Sequence, residues 1–159
     1  MAPVAPNEAA EASQELAAEI SNLERTAGEI ARLAGEGPES AKYGLSLLLM
    51  NYYTGAERLF VRIEALFGIR PDRGERWHAD LLNRMTLVVP SLRPAVITGE
   101  TARLLRPLLG FRHVIRNLYF WDIDRAQVDR HVADLPAIHA SLAADVGKFR
   151  SFLEALAEG

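Results

Sequence analysis

A chain of 159 residues with 49% hydrophobic content is long enough to close one core and too short for two comfortable domains. Eighteen lysines and arginines against twenty-one acidic residues give a net charge of −3, so no global positive field draws the chain to nucleic acid, and such binding needs a local cationic patch. The absence of cysteine excludes disulfides, thiolate catalysis and cysteine-ligated zinc, and fits a reducing cytosol.

The opening residues MAPVAPNEAAEAS carry neither a charged n-region nor an apolar h-region, so a secretory signal is not expected. Residues 1–10 read as a flexible lead-in to a single domain over 11–157. The first helix is predicted from about Glu11 to Leu33, where Leu16, Ile20, Leu23, Ala27, Ile30 and Ala34 recur in steps of three and four, the spacing of one helical face. GEGP at Gly35–Pro38 follows, a C-cap glycine with a proline suited to the first turn of the next helix. So short a connection implies antiparallel neighbours.

The second helix is predicted from about Glu39 to Phe67, with Leu45, Leu48, Leu49, Tyr52, Ala56, Leu59, Phe60, Ile63 and Phe67 inward. Its stretch LSLLLMNYY is nine residues long, far below the roughly 20 needed to span a bilayer, so a soluble, cytoplasmic chain without a membrane partner is expected. Gly55 in mid-helix costs about 1 kcal/mol against alanine and suggests close approach by another helix. GIRPDRGER reads as a loop. Glu75 to Met85 reads as a short third helix carrying Trp77, Leu81 and Leu82, with His78 packing beside Trp77 in a structural role.

VVPSLRPAVITGET is an irregular connection, since a lone strand without a partner is not stable. Thr98 can cap a fourth helix continuing towards Phe120, with a kink or break expected at Pro107. Asp124 can cap a last helix that Pro136 interrupts or restarts, and which runs on through Ile138, Leu142, Val146, Phe149, Phe152, Leu153 and Leu156. The class is therefore all-α: an antiparallel up-and-down bundle of four long helices plus one short helix. His131 and His139 lie eight apart without companion ligands, so no metal or other cofactor is expected.

The stretch FRHVIRNLYFWDID, Phe111 to Asp124, concentrates the polar chemistry. On a helix, Leu104, Leu108, Phe111, Ile115 and Leu118 form a core stripe. Measured from Phe111, Arg112, Arg116 and Tyr119 fall at about 80–140°, and His113, Asn117 and Phe120 at about 180–240°. Such strips are common on solvated faces, but this one holds no carboxylate to pair Arg112 or Arg116. Arginine forks suit phosphate oxygens, and a nearby imidazole moves protons near neutral pH.

That stretch resembles the active-site helix of HEPN-domain proteins, in particular HepT-like ribonuclease toxins, in which an arginine, a polar neighbour and a later histidine are commonly followed by a tyrosine. Arg112 matches the arginine, His113 the polar neighbour and Tyr119 the tyrosine, while the histidine position falls on Asn117. YTGAERLF (Tyr53 to Phe60), WHADLL (Trp77 to Leu82) and LRPAVITGET resemble the same subgroup in the same order, so the likeness covers roughly Tyr43 to Asp124.

The resemblance implies a HEPN-like bundle that pairs as a homodimer and acts within a prokaryotic toxin–antitoxin or defence module. Its activity would be metal-independent RNA cleavage through a 2′,3′-cyclic phosphate, with Arg112 steadying the phosphate and Arg116 and Tyr119 contacting substrate. It also implies a minimal nucleotidyltransferase antitoxin as partner, with Tyr119 the acceptor of an adenylyl group. Asparagine cannot titrate near pH 7, which leaves two readings of the residues. Either His113, one turn before Asn117, takes over proton transfer, or the chain is a degenerate HEPN scaffold that binds a nucleotidyltransferase or RNA without cutting.

Overall fold

The structure, a computed structural model, describes residues 4–70 and 72–159. The first three residues of the expected lead-in, and Pro71 of the GIRPDRGER loop, lie outside that range. Among the described residues five α-helices account for the fold: α1 (Pro6–Glu36), α2 (Ala41–Leu66), α3 (Trp77–Met85), α4 (Gly99–Ile115) and α5 (Arg125–Glu158). The all-α class and the count of four long helices and one short one are as the periodicity indicated. No strand forms among the described residues; the connection between α3 and α4 contains a single isolated bridge, Val89 to Arg93.

The helix directions follow from which ends meet. Arg62 of α2 pairs with Glu15 of α1, and Arg58 with Glu19. Because the α2 numbers rise as those of α1 fall, the two helices run antiparallel. Ser13 near the start of α1 donates to Glu154 near the end of α5, while Arg125 at the start of α5 donates to Pro38 just past the end of α1. Gly55 lies at the α1–α2 crossing: a Cβ there would stand 2.7 Å from Leu23 Cδ2, which is the close approach its mid-helix place suggested.

Three boundaries differ from expectation, each for a local reason. Helix α1 begins at Pro6 rather than near Glu11, so residues 6–10 of the expected flexible lead-in are helical. Proline suits the first turn, Glu8 accepts a hydrogen bond from Ala5 N–H at 3.1 Å, and Ala9 is already buried. Neither Pro107 nor Pro136 breaks its helix. Both rings lie on exposed faces, where water can satisfy the carbonyl that loses its donor, and the flanking Leu105, Leu108, Leu135 and Ile138 are buried.

Helix α4 stops at Ile115 instead of continuing to Phe120. Asn117 Nδ2 donates to the His113 carbonyl at 2.8 Å, and Asn117 N–H to Val114 O at 3.0 Å, so the last turn is closed off by asparagine. Leu118, assigned to the core stripe, is therefore 40% exposed.

The remaining signals fell where expected. Thr98 Oγ1 accepts from Thr101 N–H at the start of α4, and Asp124 accepts from Ala126 N–H at the start of α5. Helix α2 ends with Gly68 at φ 70°, Gly68 N–H donating to Ala65 O and Ile69 N–H to Glu64 O. That is the two-bond closure in which glycine takes the left-handed position. Two polar anchors then hold the irregular region between α2 and α4. Arg84 forks onto the fully buried Glu64 at 2.7 and 3.1 Å, and buried Arg93 donates to the carbonyls of Leu87, Pro94 and Arg84. These anchors fix α3 against α2 and so position the first turn of α3 over the end of α4.

Candidate functional site

Three segments converge beside that end of α4. From α2, Glu57 sits on the buried face between Tyr53 and Phe60, its side chain 8% exposed. From the first turn of α3 comes His78, and from the last turn of α4 come Arg112 and His113. His78 Nδ1 lies 2.5 Å from Glu57 Oε2, and Arg112 Nη1 lies 3.9 Å from Glu57 Oε1 and 3.3 Å from His78 Nδ1.

These contacts conflict unless the imidazole tautomer is assigned. Nδ1 cannot donate to Glu57 and accept from Arg112 at once. The shorter contact is to a carboxylate, which only accepts, so the proton belongs on Nδ1 and Arg112 is an electrostatic neighbour of the pair. In the neutral imidazole Nε2 of His78 is then the nitrogen with the free lone pair. The Trp77 indole lies against the His78 ring at 3.9 Å between centroids and 31° between planes, and the Arg73 guanidinium lies over the indole at 5.3 Å.

The expectation that no carboxylate meets Arg112 is thus corrected. It held within α4 alone, but Glu57 arrives from α2, and Arg112 is largely buried against it. No carboxylate pairs Arg116 among the described residues. Tyr53, one turn before Glu57, has its pKa raised, chiefly by burial and then by the Glu57 charge, with Arg112 and Arg106 opposing. It stays protonated at neutral pH.

A surface cleft opens at this junction in two connected parts, about 290 and 440 Å³. Glu75, His78, His113 and Arg116 border both; Arg76 and Arg112 border the first, and Arg73, Trp77 and Asn117 the second. Four arginines against Glu75 and the deeper Glu57 make this a local cationic site in a net-acidic chain, suited to an anion with oxygen acceptors.

Of the residues singled out in FRHVIRNLYFWDID, the fold brings Arg112, His113, Arg116 and Asn117 to the cleft. Tyr119 is not part of its lining. It lies beyond the end of α4, 68% exposed and stacked on Trp121 at 4.6 Å and 6°.

A sequence model of the family described as HepT-like protein matches residues 44–153. The chain belongs to the HepT-like family. The match takes in almost all of α2, all of α3 and α4, and most of α5; it leaves out α1. No curated protein and no solved structure matches the chain.

In this HepT-like protein the end of α4 supplies Arg112 and Arg116, and the segment leading into α3 supplies Arg73 and Arg76. His78 packs beside Trp77 as the sequence indicates, while Glu57, Arg73 and Arg76 are cleft or cleft-supporting residues that the sequence reading does not single out. The signal for Glu57 was in the sequence: it lies four residues after Tyr53 and three before Phe60, in the middle of an apolar stripe where a carboxylate must find a partner.

Proposed function

We propose that this HepT-like protein binds RNA in the cleft between α3 and α4 and cleaves it without a metal ion, as a component of a toxin–antitoxin or defence module. The observation that carries the reading is the convergence of Arg73, Arg76, Arg112 and Arg116 on one cleft that also holds two histidines. Arginine forks bind the scissile phosphate and neutralise charge as the 2′-oxygen attacks, and an imidazole serves proton transfer. The product is a 2′,3′-cyclic phosphate. Arg112 is the central phosphate contact, with Arg116 beside it. His113 and Asn117 flank the same space, and Asn117 orients rather than titrates.

A second reading, a scaffold that binds RNA or a nucleotidyltransferase without cutting, draws on Asn117. It occupies the motif histidine position, and its amide is used to close α4. Tyr119, exposed beyond the cleft, is reachable by a modifying partner, which fits adenylylation by a minimal nucleotidyltransferase antitoxin. The neighbouring Leu118, Phe120 and Trp121 are also exposed and suit a homodimer contact.

The two readings separate with labelled RNA in EDTA. Under the first, wild type yields 2′,3′-cyclic ends and Arg112→Ala yields none. Each arginine replaced by alanine should also lower the slope of log affinity against log salt by about 0.7, the value for one phosphate contact on a single strand. Intact RNA with wild type and Arg112→Ala alike, together with salt-dependent binding, supports the scaffold and overturns the nuclease.

A further inference from the structure

We propose that His78, oriented by Glu57, is the general base of the cleavage reaction, and that Glu57 is its positioning residue. This rests on the nuclease reading above and deepens it. The residue that moves the proton is placed on α3, outside the helix carrying the arginine motif.

Four observations on different elements carry it. Glu57 is buried in the α2 interface and aimed at Nδ1 of His78, and a carboxylate held there selects, for the neutral ring, the tautomer whose Nε2 is the acceptor. The indole of Trp77 lies against one face of the ring, so its orientation is held from two sides. The ring borders both parts of the cleft with Arg116, and the first part with Arg112. The other polar groups there suit the task less well: Asn117 has no titratable proton and donates its amide to the His113 carbonyl, and the His113 side chain is exposed, with no hydrogen bond to its imidazole among the described residues.

In the reaction the 2′-hydroxyl gives its proton to His78 Nε2, and the oxygen lone pair forms the bond to phosphorus. The bond from phosphorus to the 5′-oxygen breaks, and that oxygen keeps the electron pair and takes a proton from water, which the open cleft admits. Arg112 beside the dyad meets the charge gathering on the phosphoryl oxygens. Bulk water then takes the proton from His78 and restores the base.

Single-turnover cleavage of a labelled RNA tests this in wild type, His78→Gln, His78→Ala, Glu57→Gln and His113→Gln, with RNA affinity measured in parallel. His78→Gln and His78→Ala should lose about 10²–10⁴-fold in rate, the usual contribution of a general base, while affinity changes little. Glu57→Gln should lose about 10–100-fold, as orienting partners commonly do. Added imidazole should restore part of the rate in His78→Ala and none in Arg112→Ala, a rescue that a merely structural histidine would not permit. A loss in His113→Gln as large as in His78→Gln, or no rescue by imidazole, overturns the assignment and leaves the nuclease standing. No cleavage by wild type overturns both.

Discussion

Arg112 and Glu57 give the clearest test of the site's electrostatics, because it needs no substrate. Glu57 is almost fully buried, and its Oε1 lies 3.9 Å from Arg112 Nη1. At an effective dielectric of about 20, two unit charges at that separation attract by about 4 kcal/mol. Desolvation of both groups and the opening of the cleft offset much of this. Arg112→Met should therefore cost about 1–3 kcal/mol, less than the roughly 3–5 kcal/mol of fully stranding a buried charge, because His78 still donates to Glu57. In a Glu57→Gln background no carboxylate is left stranded, and the same substitution should cost less than about 1 kcal/mol. The measurement is urea unfolding followed by far-ultraviolet circular dichroism on wild type, both single variants and the double variant, at one protein concentration. A coupling energy below about 0.5 kcal/mol would refute the claim that Glu57 is charged and held by Arg112.

Three further outcomes follow from other parts of the fold. Asn117→His adds an imidazole at the end of α4 but removes the amide that closes it; with His78 as base, cleavage should rise less than about tenfold, and a hundredfold gain in single-turnover rate would favour a base at position 117. Gly55→Val places side-chain atoms inside the 2.7 Å gap to Leu23 and should destabilise by about 1–3 kcal/mol, read from the urea midpoint. Burial lowers the pKa of His131 and of His139, with Asp134 and Glu24 respectively opposing. The unfolded chain therefore binds the extra protons first, and stability is complete above the ordinary value of 6.5 and declines as pH falls through it. Melting temperatures between about pH 7.5 and about pH 5.5 should show that decline, and His139→Gln should reduce it.

The bundle was legible because its information is periodic. Leucine, isoleucine and aromatic spacing located α1, α2 and α5, and the caps at Thr98 and Asp124 were read from single polar residues. The end of α4 was not legible in that way. Ile115 and Leu118 continue a helical stripe by spacing, whereas the stop comes from the local bond of the Asn117 amide to the His113 carbonyl, which spacing does not carry. The site divides similarly. Arg112, His113 and Arg116 lie close together in sequence, and a helical projection finds them. The pairing of Glu57 with His78 spans 21 residues and depends on how α3 is pinned to α2 through Glu64 and Arg84, which no single-helix projection contains. What the sequence did hold was the anomaly of two glutamates, Glu57 and Glu64, on the buried stripe of α2. Each turned out to have a cationic or imidazole partner on α3.

That pattern bears on how a HepT-like chain with asparagine at position 117 would still move a proton. A proton-transfer group works only when its tautomer and direction are fixed. Position 117 lies past the last helical residue of α4, in a turn whose side chain is needed to satisfy a carbonyl. An imidazole there would have to choose between closing the helix and meeting substrate. His78 faces no such conflict, since its Nδ1 is engaged by a buried carboxylate, one face of its ring lies against Trp77, and Nε2 remains for a ligand. The division of labour then follows from the two helix ends. Arg112 and His113 occupy the last turn of α4, where the negative end of the helix dipole favours cations, so Arg112 is held in place without a competing acid–base role. In the proposed reaction the phosphate is steadied by one helix and the proton is moved by another. The buried Glu57 of α2 touches both and sets the distance between them.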